Sequence, residues 1–362
     1  MIHFKDELKN IKNYVPGKPI EEVKRELGLK GKIIKMASNE NPLGVSPKAK
    51  RVIENSISSL NLYPDDTNYY LKRKISEKIG VNEKHVIIGN GSVELINNIV
   101  FSFTQKHDNL LRCDPSFIMF SISGLMNGCN VINVPTKNYV FDVEEMIRKS
   151  EEADARIIYF DNPNNPMGTM VNQGEVEYMM KKIKKDRIVI LDEAYNEYMN
   201  KKERINSGEL LKKYKNLVVL RTFSKIYGLA GLRIGYGLAN DEIMEVLNKV
   251  RLPFNVNLLA QRAALAAIDD FKHIQESKRL NDEGVKYLTM SLKNMGYFVV
   301  PSFTNFVAFD TGTDASVIFK KLESRGVIVR PIANYGLKSF LRVTTGTESE
   351  NKKFIKILKE VK

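Results

Sequence analysis

The chain has 362 residues, of which 43% are hydrophobic and 27% charged, the balance of an ordinary water-soluble globular protein with room for two domains. Two cysteines, Cys113 and Cys129, and four scattered histidines, His3, His85, His107 and His273, give neither a disulfide framework nor metal-ligand spacing, so reduced thiols and no metal are expected. A net charge of +13 would suit nucleic acid, but the lysines, such as Lys181, Lys182, Lys184 and Lys185, lie among acidic residues in predicted helices without interleaved aromatics. No nucleic-acid partner is expected, and the charge instead favours phosphorylated or dicarboxylate substrates by steering. No apolar run approaches the roughly 18 residues of a membrane helix, and the start, Met1-Ile2-His3-Phe4-Lys5-Asp6-Glu7, lacks a signal-peptide core. A cytoplasmic protein with no membrane partner is the expectation.

In chain order, residues 1–30, with Tyr14-Val15-Pro16-Gly17-Lys18-Pro19, look too irregular for a core and are assigned to an N-terminal arm. Ser46-Pro47 predicts a capped helix start with proline at the first helical position, and Gly80 closes a second helix after Asn68. Short apolar runs then recur at His85 to Ile88, Asn109 to Cys113, Val131 to Val134, Arg156 to Phe160, Arg187 to Leu191, Leu217 to Leu220 and Ile234 to Leu238. Most are continuous and not alternating, the pattern of strands covered on both faces, with helical segments between several of them. The fold class predicted is α/β, with a mostly parallel seven-stranded sheet between helices in a large domain over 31–255. A helical stretch begins near Leu258, is alanine-rich from Gln261 to Ile268 and keeps helical periodicity towards Met295. It leads into a smaller α+β domain, 256–362 in all, with strands at Tyr297 to Val300, Asn305 to Phe309, Val327 to Arg330 and Phe340 to Val343, and a terminal helix from about Glu348.

Polar clusters follow the carboxyl ends of the predicted strands, where open α/β sheets place ligands. In Val218-Val219-Leu220-Arg221-Thr222-Phe223-Ser224-Lys225 a buried strand delivers one amine to the glycine-rich loop through Gly235. Desolvation there can leave Lys225 unprotonated and nucleophilic towards a carbonyl, as a Schiff base requires. Ile87-Ile88-Gly89-Asn90-Gly91-Ser92-Val93-Glu94-Leu95 is strand, glycine turn and helix, with Ser92 near the N-cap. Such a turn either presents backbone N–H groups to a phosphate or simply caps the helix, and it lacks the three spaced glycines of a dinucleotide site. The loop Asp161-Asn162-Pro163-Asn164-Asn165-Pro166-Met167-Gly168 holds two asparagines between prolines, as turn formers or as rigid donors to a phenolic oxygen. Val189-Ile190-Leu191-Asp192-Glu193-Ala194-Tyr195 ends a strand in two carboxylates that alternate to opposite faces, which argues against an acid/base dyad. A buried Asp192 needs a cationic or donor partner, either a protonated pyridine nitrogen or an arginine. Arg330 and Arg342 each end or interrupt an apolar strand of the smaller unit, where two guanidinium forks would clamp an anionic substrate.

Taken together, these segments resemble the fold-type-I, class II pyridoxal-phosphate-dependent aminotransferases, and within them the histidinol-phosphate group. The resemblance spans essentially the whole chain, from Tyr14-x-Pro16-Gly17-Lys18-Pro19 through Ala37-Ser38-Asn39-Glu40-Asn41-Pro42, Tyr63-Pro64-Asp65 and the loops above, to Pro253 to Asn257 and Leu341-Arg342-Val343. It implies that pyridoxal 5'-phosphate is the cofactor and that Lys225 bonds it and then shuttles a proton to and from the substrate carbon. By the same resemblance Asp192 keeps the pyridine nitrogen protonated, Asn165 and Tyr195 hydrogen-bond the ring oxygen, and Phe117 stacks on the ring. Gly91, Ser92, Thr222, Ser224 and Arg233 hold the cofactor phosphate, with Tyr63 reaching it from the neighbouring subunit of a homodimer with shared sites. Arg342 and Arg330 bind the substrate phosphate or the carboxylates of glutamate, and Tyr14 and Asn41 lie close to the substrate.

The implied reaction exchanges an amino group between L-histidinol phosphate and 2-oxoglutarate, giving imidazole-acetol phosphate and L-glutamate, and runs in reverse in histidine biosynthesis. An aromatic amino acid aminotransferase is the alternative on the same machinery. The sequence departs from the usual pattern at Phe117 and Phe120, where tyrosines are common, at Met167 in place of threonine, and at Val93 in place of aspartate. These leave the Lys225, Asp192 and Tyr195 core intact.

Overall fold

The computed structural model describes residues 2–11, 19–28, 31 and 33–362. The strands are β1 (Ile34–Lys35), β2 (Val86–Gly89), β3 (Asn109–Asp114), β4 (Asn130–Pro135), β5 (Ile157–Asp161), β6 (Ile188–Asp192), β7 (Leu217–Thr222), β8 (Gly235–Leu238), β9 (Phe298–Val299), β10 (Phe306–Asp310), β11 (Val327–Ile328), β12 (Arg330–Pro331) and β13 (Phe340–Thr344). β2 to β8 form one seven-stranded sheet in the order β2-β8-β7-β6-β5-β3-β4. Six of its strands run in one direction and β8 alone opposes them, pairing antiparallel with both β2 and β7. Every residue of β2, β5, β6, β7 and β8 is buried, as continuous apolar runs require when helices cover both faces. The helix Ser92–Phe103 shows how the cover is made: Leu95, Ile96, Ile99 and Val100 recur at helical spacing and pack against Ile87 and Leu220 of the sheet.

The second unit is a four-stranded antiparallel sheet, β12-β13-β10-β9, sharing a core with the helices Phe271–Asn294, Ala315–Ser324 and Glu348–Val361. Where one helical stretch was expected from Leu258 towards Met295, two helices, Leu258–Ala267 and Phe271–Asn294, are found. The break has a cause: Asp270 caps the second helix at His273 N–H and accepts a 2.6 Å hydrogen bond from Ser46 Oγ. The expected strand Val327 to Arg330 also divides. β11 pairs in parallel with β1, whereas Arg330 of β12 lies opposite Arg342 of β13.

Residues 20–27 form a helix, with Val23 fully buried against Ile33, Ala37 and Ile328, so part of the segment read as an irregular arm reaches a core. The positions from Ile33 to Ala37, placed with the large domain by the sequence division, hydrogen-bond to strands of the second unit. Met167, at the tip of the loop after β5, is fully buried among Val300, Ala308, Ile332 and Phe340, so the two units meet through its thioether. Among the described residues no helix is long and apolar enough to cross a membrane.

Candidate active site

A cavity of about 280 Å³ opens at the carboxyl ends of β5, β6 and β7, and it collects most of the residues singled out in the sequence. Lys225, Asp192, Tyr195, Asn165, Phe117, Ser92, Thr222, Ser224 and Arg233 all line it. Lys225 follows β7 by three residues, and its Nζ lies 5.7 Å above the Tyr195 ring and donates to Ser38 O at 3.3 Å. Burial, reinforced by the Arg342 guanidinium, lowers its pKa to about 8, so roughly a tenth of the amine is neutral and nucleophilic at pH 7, far more than at an ordinary lysine.

Asp192 and Glu193 diverge as strand alternation demands. Glu193 turns to the other side of the sheet, where it pairs with Arg221 and Ser207. Asp192 faces the cavity, accepting from Tyr159 Oη and Ala194 N–H, each at 3.1 Å. Burial pushes its pKa up to about 6 although the Tyr159 hydrogen bond favours the carboxylate, and it forms no ion pair among the described residues. The structure thus holds a buried carboxylate that calls for a cation from outside the chain.

The cavity also carries an anion cradle. Gly91 is the N-cap of the twelve-residue helix Ser92–Phe103, whose first two residues, Ser92 and Val93, line the cavity. Gly91 has φ +76°, and a Cβ built there would fall 2.5 Å from Arg233 Nη2, so glycine is what lets the guanidinium lie across the turn. Arg233 Nη1 in turn reaches Ser224 Oγ at 3.4 Å, and Thr222 Oγ1 accepts from Ser224 N–H at 3.0 Å. A helix N-terminus, two hydroxyls and a guanidinium converge in the manner of a phosphate site.

The loop after β5 is organised by Asp161, a residue not singled out from sequence. Its carboxylate accepts from Phe117 N–H at 3.1 Å, Asn165 N–H at 2.8 Å and Asn164 Nδ2 at 2.9 Å, fixing both cavity-lining residues of that wall. Burial pushes its pKa up to about 7 against these donors. The two asparagines therefore separate: Asn164 knits the turn, bonding Pro115 O and Met167 N–H, whereas Asn165 lines the cavity and accepts from Arg342 Nη1. Asn39 is a second site residue beyond those the sequence marks: its Nδ2 donates to Tyr195 Oη at 2.8 Å. The signal for Asp161 was its place at a strand end before the asparagine-proline loop; no local signal marks Asn39.

The remaining predicted residues are not all brought to this centre. Arg342 is buried and donates to Ala37 O at 2.9 Å, with Arg330 directly across the antiparallel pair. Asn41 lines an adjoining cleft of about 530 Å³, and its amide donates to Ile226 O and Ser277 Oγ, both at 2.8 Å. Glu40 belongs to both the cleft and the cavity wall. Tyr63 is 80% exposed and stacks on Phe254 at 4.6 Å, away from the cavity. Tyr14 lies outside the described residues. Phe120 is fully buried and stacks on Tyr159 at 4.7 Å, behind Asp192, so its lack of a hydroxyl does not bear on the cavity wall.

A neutralisable lysine, a cation-seeking carboxylate and an anion cradle on one rim of a sheet of this order define an enzyme of the aminotransferase type. The chain belongs to the aminotransferase class I and II family, whose model matches residues 31–358. It is 45% identical to a histidinol-phosphate aminotransferase of Caldicellulosiruptor saccharolyticus over 99% of each chain. Its fold is similar to that of histidinol-phosphate aminotransferase from Sinorhizobium meliloti, a structure in complex with pyridoxal-5'-phosphate, with TM-score 0.92 and 27% identity, covering 100% of this chain and 98% of that one. It is also similar to L-threonine-O-3-phosphate decarboxylase from Porphyromonas gingivalis, at TM-score 0.77 and 25% identity, covering 91% of this chain and 99% of that one.

Proposed function

We propose that the protein is a pyridoxal-phosphate-dependent transaminase acting on L-histidinol phosphate and 2-oxoglutarate, which yields imidazole-acetol phosphate and L-glutamate and runs in reverse in histidine biosynthesis. The observation that carries the reading is that Lys225, Asp192 and the Gly91 to Arg233 cradle face one cavity. The residues fit the cofactor: the buried Asp192 matches a protonated pyridine nitrogen, and the cradle matches a phosphate. The full-length identity to histidinol-phosphate aminotransferases supports the substrate pair.

When bound, pyridoxal phosphate supplies an aldehyde carbon and an electron-accepting pyridine ring. Asp192 accepts a hydrogen bond from the ring nitrogen and holds its proton. Tyr195 and Asn165 donate to the ring oxygen; with Arg342 on Asn165 Oδ1, the donor end of that amide is the one available. Phe117 covers the ring face. Gly91, Ser92, Thr222, Ser224 and Arg233 bind the phosphate. Lys225, as a neutral amine, removes the proton from the substrate carbon and returns it. Arg342 and Arg330, cross-strand neighbours, hold the phosphate of one substrate and the carboxylate of the other. Asn41 belongs to the substrate side of the adjoining cleft, and Tyr14 is read as a further substrate contact.

The protein acts as a homodimer in the cytoplasm. Support comes from the exposed apolar residues Leu60, Leu62, Tyr63 and Phe254, which line a groove of about 620 Å³, a face of the kind that interfaces cover. From it Tyr63 reaches the cofactor phosphate of the neighbouring subunit. A domain division near residues 31 and 255 is part of the same reading, with the β1 segment shared between the units.

The test is a visible spectrum of the protein loaded with pyridoxal phosphate. L-Histidinol phosphate alone should bleach the cofactor band and 2-oxoglutarate should restore it. A strong preference for phenylalanine over histidinol phosphate would overturn the substrate assignment.

A further inference from the structure

Asn39 is 2% exposed and holds a left-handed φ of +56°. Its backbone N–H donates to Thr344 Oγ1 at 3.0 Å, and its Oδ1 accepts from that same hydroxyl at 3.0 Å. Its carbonyl accepts from Asn305 Nδ2 at 3.0 Å, and its Nδ2 donates to Tyr195 Oη at 2.8 Å. The Thr344 hydroxyl proton has one destination, Oδ1, and this fixes which end of the amide meets the phenol. A phenol oxygen that accepts from Asn39 sends its own proton elsewhere, and Tyr195 lies on the cavity wall.

We propose that Asn39 is a positioning residue that, by donating to Tyr195, aims the phenol proton into the cavity towards the ring oxygen of the cofactor, and that Thr344 ties this orientation to the second unit. Arg342 and Thr344 lie two apart on β13 and share a face. Arg342 engages Asn165 while Thr344 engages Asn39, so alternate residues of one strand hold Asn165 directly and Tyr195 through Asn39. The inference rests on the reading of Tyr195 as a donor to that oxygen.

The test compares Asn39→Gly and Asn39→Asp in the native and the Tyr195→Phe backgrounds, reading the pH titration of the cofactor's visible band and the Tm of the cofactor-free protein. Glycine keeps the left-handed backbone and removes the amide. Aspartate keeps the shape but offers Tyr195 only acceptors, drawing its proton out of the cavity. A hydrogen bond donated to the ring oxygen withdraws electron density and lowers the proton affinity of the bound group. Losing it therefore raises the titration midpoint, by about half a unit to one unit for Asn39→Gly, a roughly three- to tenfold change in proton affinity. Asn39→Asp should shift it further although it is the closer isostere, the reverse of the ranking a purely structural role gives. In the Tyr195→Phe background the Asn39→Gly shift should vanish.

A shift of equal size in both backgrounds would overturn the proposal while leaving the function of Tyr195 standing. A Tyr195→Phe protein whose titration matches the native one would overturn the reading of Tyr195 and this proposal with it. If the Asn39 variants do not fold, Thr344→Val puts the same question with Asn39 in place: a shift that disappears in the Tyr195→Phe background supports the proposal, and an additive one refutes it.

Discussion

Replacing Gly91 with alanine perturbs the cradle in two separable ways. The backbone at Gly91, φ 76° and ψ 165°, lies in a region open almost only to glycine, so any L side chain costs about 1–3 kcal/mol of fold stability. The new Cβ would also fall 2.5 Å from Arg233 Nη2 and drive the guanidinium off the turn. If that removes one charge-assisted hydrogen bond to the cofactor phosphate, worth roughly 1.5–3 kcal/mol, the Kd for pyridoxal phosphate rises about 10- to 150-fold. The first effect appears in denaturant unfolding of the cofactor-free protein, the second in fluorescence titration with cofactor. The two are distinguished by an Arg233→Ala background, in which Gly91→Ala should still destabilise the fold but no longer weaken binding. Unchanged cofactor affinity in the single variant, alongside the expected loss of stability, would refute the cradle reasoning.

Lys225→Ala should slow the amino-transfer half-reaction by roughly 10²–10⁴-fold with the fold intact, checked by stopped-flow absorbance and far-UV circular dichroism. Because the pKa of Lys225 is lowered to about 8, its neutral fraction grows as pH rises, so the rate of cofactor capture should increase with a midpoint near 8; Arg342→Gln removes a nearby positive charge and should move that midpoint upward. Asp192, whose pKa is raised in the fold, favours the native state below its unfolded value near 3.8 and loses that contribution as pH climbs through about 6, a difference of roughly 3 kcal/mol. Asp192→Asn should therefore stabilise the cofactor-free protein at pH 8, with little change at pH 4, while weakening cofactor binding; urea unfolding at the two pH values checks it. Met167→Ala should cost about 2–5 kcal/mol by opening a cavity where the units meet, read from the urea midpoint.

The large sheet was legible because its central strands are buried on both faces, and burial writes itself into the chain as uninterrupted apolar runs such as Ile188 to Leu191. What depended on distant partners was not. Val327 to Arg330 is one apolar run, yet its halves answer to different strands, Ile34 and Lys35 on one side and Arg342 on the other. The helix break at Asp270 is likewise sealed by Ser46, far away in sequence. In the site, residues with distinctive chemistry at strand ends, Lys225, Asp192, Arg233 and Asn165, could be picked out from sequence and lie together on the cavity wall. Asn39 could not, since its meaning lies in Thr344, Asn305 and Tyr195, which the chain brings to it only on folding.

Asp161 and Asp192 show how one sheet gives the same side chain two roles. They are register partners at the ends of β5 and β6, both buried and both raised in pKa chiefly by that burial. Around Asp161 the chain supplies three N–H donors from Phe117, Asn164 and Asn165, although burial still raises its pKa further than that of Asp192. Around Asp192 it supplies one hydroxyl and one N–H, and no ion pair among the described residues. The first carboxyl group therefore spends its oxygens on the protein's own N–H groups and fixes the wall; the second is left with unspent acceptor capacity facing the cavity, which a cationic nitrogen of a bound ring can use. Adding donors to Asp192 would stabilise the cofactor-free fold and weaken the site's hold on that nitrogen, so the deficit at Asp192 is the part of the design on which cofactor chemistry depends.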